Sequence, residues 1–178
     1  MAAGNTYTAI ATQTLGSAAA SVTFSSIPST YTDLVLVINA LGYFGSNTYV
    51  NGKMQVNGDT GTNYSTTALY GSGTTAGSFR ASTQSSWTNP FFIVPANSTD
   101  NNIRGTTVIN LMNYSNATTY KTVLVRSNVT GTTAGGETQA TVNLWRSTAA
   151  ITSMTITNND SATGFVAGTF TLYGIVAA

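Results

Sequence analysis

Hydrophobic and polar positions alternate with a period of two along much of this chain, in short runs. In Thr169-Phe170-Thr171-Leu172-Tyr173, Phe170 and Leu172 fall on one face and Thr169, Thr171 and Tyr173 on the other. That is the pattern of a strand with one buried side. Leu34-Val35-Leu36-Val37-Ile38 is apolar throughout and predicts a central strand covered on both faces. Its β-branched residues argue against the alternative, a short buried helix segment. In 107–112, Thr107, Ile109 and Leu111 alternate with Val108, Asn110 and Met112, so that run is also apolar on both faces. Strands are expected near 20–24, 33–40, 49–56, 65–70, 91–94, 104–114, 120–127, 139–145, 151–157 and 169–175.

Turn chemistry punctuates these runs. Asn51-Gly52 and Asn57-Gly58 supply the positive φ that tight turns need. Pro28 ends the first strand region, while Pro90 and Pro95 bracket Phe91-Phe92-Ile93-Val94 as a short edge or interface strand. Residues 71–77 and 130–136 are rich in Gly and Thr and read as exposed loops. The expectation is an all-β fold, a jelly-roll-like antiparallel β-sandwich of one domain over residues 1–178. Residues 1–20 are expected to form an extended N-terminal arm, with the Ala-rich stretch 15–20 docking on a partner subunit. A closed up-and-down barrel fits less well, because the strand spacing is uneven.

Composition changes this picture mainly by exclusion. The 178 residues include six Lys+Arg, five Asp+Glu, no His and no Cys. Charged residues are 6% of the chain, against roughly 25% in an average soluble domain. Polarity comes instead from 34 Thr, 18 Ser and 17 Asn. Without His or Cys there is no Ser-His-Asp triad, no Cys-His pair and no imidazole or thiolate metal site. A net charge of +1 offers no basic field for nucleic acid. No apolar stretch approaches the roughly 18 residues of a membrane helix. The N-terminus lacks the basic and apolar regions of a signal peptide. No cofactor and no metal are expected. An enzyme such as a glycan depolymerase would need a carboxylate pair. Only Asp33, Asp59, Asp100, Glu137 and Asp160 are available, so the chain is read as non-enzymatic.

The candidate sites are few. Asp59-Thr60-Gly61-Thr62-Asn63 departs from a calcium loop at its third position and reads as a turn in which Asp59 bonds its own backbone. Tyr43, Phe44 and Trp87 lie among Gly, Ser, Thr and Asn. They are candidate glycan-stacking or interface aromatics, with packing under loops or against a neighbouring subunit the favoured reading. Trp145, at the end of an alternating run, is expected in the core. Arg80, Arg126 and Arg146 are isolated cations, read by default as solvated, with pairing across a subunit interface as the alternative.

Four segments carry a resemblance. Val56 to Ser65 (VNGDTGTNYS), Leu144 to Met154 (LWRSTAAITSM) and Phe170 to Ile175 (FTLYGI) resemble tailed-bacteriophage virion proteins of the cyanophage type. Ser25 to Leu34 (SSIPSTYTDL) is similar to the entry into the same family's first core strand. Such proteins serve as capsid decoration, or cement, proteins and as tail-fibre modules. The resemblance implies a jelly-roll-like β-sandwich, a homotrimer and no enzymatic activity. The resulting expectation is a structural virion protein on the capsid exterior. It would bind the major capsid protein and its own copies, and stabilise the shell. The alternative is a tail-fibre or baseplate-tip module binding host surface glycan. Neither nucleic acid nor membrane is an expected partner.

Overall fold

Short runs of Thr, Val, Ile and aromatic residues suit a pleated backbone, and they build strands throughout the chain. The computed structural model describes residues 6–44, 48–96, 102–130 and 136–176, apart from the side chains of Asn89 and Pro90. Its strands are β1 (Tyr7–Leu15), β2 (Ser21–Phe24), β3 (Asp33–Gly42), β4 (Tyr49–Val56), β5 (Tyr64–Ser72) and β6 (Thr75–Gln84). They continue as β7 (Trp87–Pro95), β8 (Gly105–Leu111), β9 (Lys121–Val129), β10 (Glu137–Trp145), β11 (Met154–Asn158) and β12 (Phe165–Ile175). An eight-stranded sheet runs in the order β1-β12-β3-β8-β9-β10-β5-β6, and a four-stranded sheet in the order β2-β11-β4-β7. All the strand pairs are antiparallel. The fold is an all-β, jelly-roll-like sandwich, as the alternation predicts.

One core fills the space between the sheets. Leu34, Leu36 and Ile38 of β3 meet Ile109 and Leu111 of β8 and Phe170 and Leu172 of β12 in one buried cluster. Val22, Phe24, Met54, Val56 and Ile156 enter it from the smaller sheet. Val35 is also buried, so the apolar run of β3 is covered largely as expected.

β7 explains why hydroxyls belong inside this protein. Phe91, Phe92, Ile93 and Val94 are all fully buried, yet β7 pairs only with β4. Its unpaired edge therefore needs partners. Ile93 N–H donates to Ser127 Oγ at 3.2 Å, and Thr107 Oγ1 donates to Ile93 O at 3.4 Å. Thr141 Oγ1 donates to Phe91 O at 3.2 Å. Inward-facing Thr and Ser of the large sheet thus close the edge of the small one.

Three expectations are corrected. Residues 7–15 are not an arm but the edge strand β1, paired along its length with β12. Ala19 exchanges backbone hydrogen bonds with Phe165. Residues 71–77 are not a loose loop. They complete β5, turn at Gly73 (φ 59°) and begin β6. Asn51-Gly52 is not a turn: both residues lie inside β4, and a Cβ at Gly52 would fall on the Phe92 ring. Asn57-Gly58 is a turn, with φ of 53° and 65° and Asp59 N–H donating to Val56 O at 2.9 Å. Of the 130–136 stretch, residues 131–135 lie outside the described residues.

Candidate functional site

The aromatics singled out from the sequence do not form a shared platform. Trp87 is fully buried on β7. Its ring meets Tyr64 edge-on at 5.2 Å and stacks on Phe91 at 5.6 Å, and Nε1 donates to Leu144 O at 3.1 Å. It is a core residue, and its polar neighbours Ser85 and Ser86 gave it an exposed look. Phe44 is partly buried and packs against the core. Only Tyr43 is exposed, with its carbonyl held by Asn158 Nδ2 at 3.0 Å.

Asp59 organises a corner rather than a cation site. Its Oδ1 accepts from Gly61 N–H at 2.8 Å, and its Oδ2 accepts from Asn63 Nδ2 at 2.9 Å and Trp145 Nε1 at 2.6 Å. Partial burial acts to raise the carboxyl pKa. The donors from Asn63, Trp145 and Gly61 outweigh it and hold the pKa below the ordinary carboxylate value. Beside it, Tyr64 Oη donates toward Asp59 O at 3.1 Å or Val56 O at 3.2 Å. Burial pushes this phenol up to about 12. Trp145 is buried as expected. Among the described residues, no three acids gather where they could hold a metal ion.

Two surfaces remain. The first is the outer face of the large sheet. The inner face takes every second residue of β9 and β10, so Leu124, Arg126, Ala140 and Val142 point outward. Register aligns Val142 with Leu124 on one side and Thr67 on the other, and Ala140 with Arg126 and Leu69. Leu69 is 65% exposed, Val142 54% and Leu124 43%. This is an apolar stripe crossing three neighbouring strands. Arg126 lies within it, and Arg80 continues it on β6 opposite Thr67. Arg126 and Arg80 are exposed, while Arg146 donates to Thr62 O.

The second surface is a cleft of about 320 Å³ where β4 meets the β10–β5–β6 end of the large sheet. Tyr49 and Asn51 of β4, Tyr70 of β5, Phe79 of β6, and Glu137 and Gln139 of β10 line it. Glu137 Oε1 accepts from Gln139 Nε2 at 2.7 Å. Asp160 Oδ2 accepts from Asn51 N–H at 2.6 Å. Burial, and then the charges of Glu137 and Asp160, raise the Tyr49 phenol above its usual value. Sequence offered Asn51 only as a turn residue and Glu137 and Asp160 only as two of five acids. Their grouping with Tyr49, Tyr70 and Phe79 was hidden because the lining comes from four separate strands.

No family model matches the chain, no curated protein matches it, and no solved structure matches it.

Proposed function

We propose that this chain is a structural virion protein, a decoration protein on the outer surface of a tailed-phage head. The observation that carries this reading is the outer face of the eight-stranded sheet, with Leu69, Leu124 and Val142 exposed side by side and no carboxylate among them. A contiguous exposed apolar patch marks a surface used for association. Eight strands about 4.8 Å apart span roughly 34 Å, and nine-residue strands run roughly 30 Å. Such a face exceeds the ~800 Å² per partner of a specific interface.

The edges favour face-to-face over edge-to-edge association. β6 carries Arg80 and a register shift opposite Tyr64–Thr66, and β1 has a bulge between Ala9 and Ala11. Charged and bulged edge strands resist pairing with a further strand. The few charges leave little repulsion between closely packed copies, which suits a homotrimer seated on the major capsid protein. The resemblance of 56–65, 144–154 and 170–175 to phage virion proteins supplies the setting. The tail-fibre alternative offered Tyr43 and Trp87 as glycan platforms; Trp87 lies in the core, which leaves Tyr43 as the one exposed ring of the two.

The test is co-sedimentation of purified protein with phage heads stripped of it. Wild type should pellet with the heads. The Leu69→Asp/Val142→Asp variant should stay in the supernatant while keeping its β-sheet circular dichroism. Equal pelleting of both would refute the proposed contact face.

A further inference from the structure

The cleft between β4 and the β10–β5–β6 end has a composition that the proposed decoration role does not use. Glu137 is only 8% exposed, and among the described residues the donor to its carboxylate is Gln139 Nε2. Withdrawing a carboxylate from water is costly unless a cation or several donors compensate it. Gln139 is 5% exposed, and its Oε1 has no hydrogen-bond partner. The site therefore holds acceptors that lack donors.

The cations of the chain are committed elsewhere or point away. All six Lys and Arg lie among the described residues, and none lines the cleft. Lys121 Nζ donates to the carbonyls of Thr119 and Thr148. Arg126 and Arg80 face outward on the far side of the same sheet. Lys53, two residues along β4 from Asn51, does not reach the lining. No ion pair joins Glu137 to a cation among the described residues.

Aromatic side chains form the rest of the lining. Tyr49, Tyr70 and Phe79 come from three different strands. The Tyr70 ring lies over Gly77, its register partner on β6, where a Cβ would collide with it. That contact fixes the ring at the rim. Aromatic faces attract cations, most strongly where water is partly excluded.

We infer that this cleft binds an organic cation, a guanidinium or ammonium group, held by the Glu137 carboxylate against Tyr49, Tyr70 and Phe79. A neutral sugar would leave the carboxylate without a counter-charge. A cation supplies both the charge and the N–H donors that Glu137 and Gln139 lack. The group can belong to a free amine or to an Arg side chain of a second copy, whose Arg80 and Arg126 are exposed.

The test is a heteronuclear NMR titration of the intact chain with arginine amide at constant ionic strength, with citrulline amide, its neutral isostere, and glucose as controls. Arginine amide should shift the amides of Glu137, Gln139 and Tyr70 saturably. It should bind at least about tenfold more tightly than citrulline amide and than the same ligand to Glu137→Gln. Light scattering separates the two sources. If a second copy supplies the cation, wild type self-associates, and arginine amide or Glu137→Gln releases the monomer. If a free amine is the ligand, the oligomeric state does not change while binding is retained. If Glu137→Gln fails to fold, the arginine–citrulline difference on wild type decides. Equal binding of arginine and citrulline amides, preferential binding of glucose, or no saturable shift in the cleft would overturn the inference.

Discussion

Gly52 lies under the ring of Phe92, its register partner across β4 and β7, and a Cβ at position 52 would sit inside that ring. The missing side chain is what lets a fully buried Phe cross the small sheet there. Gly52→Ala must displace the ring within a close-packed core, at a cost of about 1–3 kcal/mol. Gly58→Ala serves as the contrast, since a Cβ at that position meets no neighbour and only its positive φ is strained. Urea unfolding should show a lower midpoint for Gly52→Ala with an unchanged m-value. A Gly52→Ala midpoint equal to wild type would mean that the ring has room to move.

Tyr64 makes the fold sensitive to alkali. It is fully buried, stacks with Trp145 at 6.4 Å and bonds the Val56–Asp59 turn through its hydroxyl. Burial keeps its phenol protonated up to about 12 when folded, against 10.0 for an ordinary tyrosine. Above pH 10 the unfolded chain loses this proton first, so stability falls as pH rises from 10 towards 12. Tyr64→Phe should lower stability at neutral pH by about 1–2 kcal/mol through the lost hydrogen bonds, and should flatten this alkaline decline. Denaturation midpoints between pH 8 and 12 would check both effects.

Asp59 acts at the other end of the pH scale. Although burial acts to raise it, its folded pKa lies below the ordinary carboxylate value because Asn63, Trp145 and Gly61 all donate to the carboxylate. The stabilisation is full above the unfolded pKa and is lost as pH falls through the lower, folded pKa. Asp59→Asn should therefore weaken the fold at pH 7 and reduce its sensitivity to acid below pH 4. The Trp145 fluorescence maximum, which reports the Nε1 contact at 2.6 Å, should shift in the variant. An acid-unfolding profile like that of wild type would contradict this assignment.

What was legible in sequence follows from what each strand buries. β9 and β12 alternate with a largely apolar buried face and β3 is apolar throughout, so these strands were announced. β10 alternates too, but it buries Glu137, Gln139, Thr141 and Asn143 and turns Ala140 and Val142 outward. β1 and β6 are the edge strands of the large sheet, and β6 in particular is largely exposed. A strand that packs little of either face into the core has no reason to alternate, so 75–77 read as part of a loop and 78–84 gave no strand signal. Gly52 and Trp87 misled in opposite ways. A strand glycine under an aromatic ring resembles a turn glycine, and a core tryptophan next to serines resembles an exposed one. The cleft was illegible because Tyr49, Tyr70, Phe79 and Glu137 meet only through the sheet order.

The abundance of Asn also has a structural meaning. Asn57 Oδ1 accepts from the N–H groups of Thr152 and Ser153, and its Nδ2 donates to Ala150 O. Asn158 Nδ2 binds the carbonyls of Tyr43 and Gly164, and its Oδ1 accepts from Asp160 and Ser161 N–H. An amide offers both donor and acceptor and so substitutes for a backbone partner in a loop. Asn158→Ala should free both loops and cost about 1–3 kcal/mol, since buried polar groups lose their partners. Thermal unfolding and amide hydrogen exchange at Gly164 would measure the loss.

Thr83 sits at a left-handed φ of 56° in the irregular end of β6. A β-branched residue is strained there, whereas Asn tolerates the conformation better. Thr83→Asn should raise stability by about 1 kcal/mol. A lower unfolding midpoint would show that the Thr83 hydroxyl bond to Ser82 O at 2.6 Å matters more than the strain.

The proposed decoration role requires the exposed apolar face of the large sheet to meet a capsid. The most direct measurement is gold-labelled antibody against this chain, imaged on intact phage particles that contain it. Label distributed over the head surface is the result expected. Label confined to the tail or its tip, with bare heads, would contradict the account.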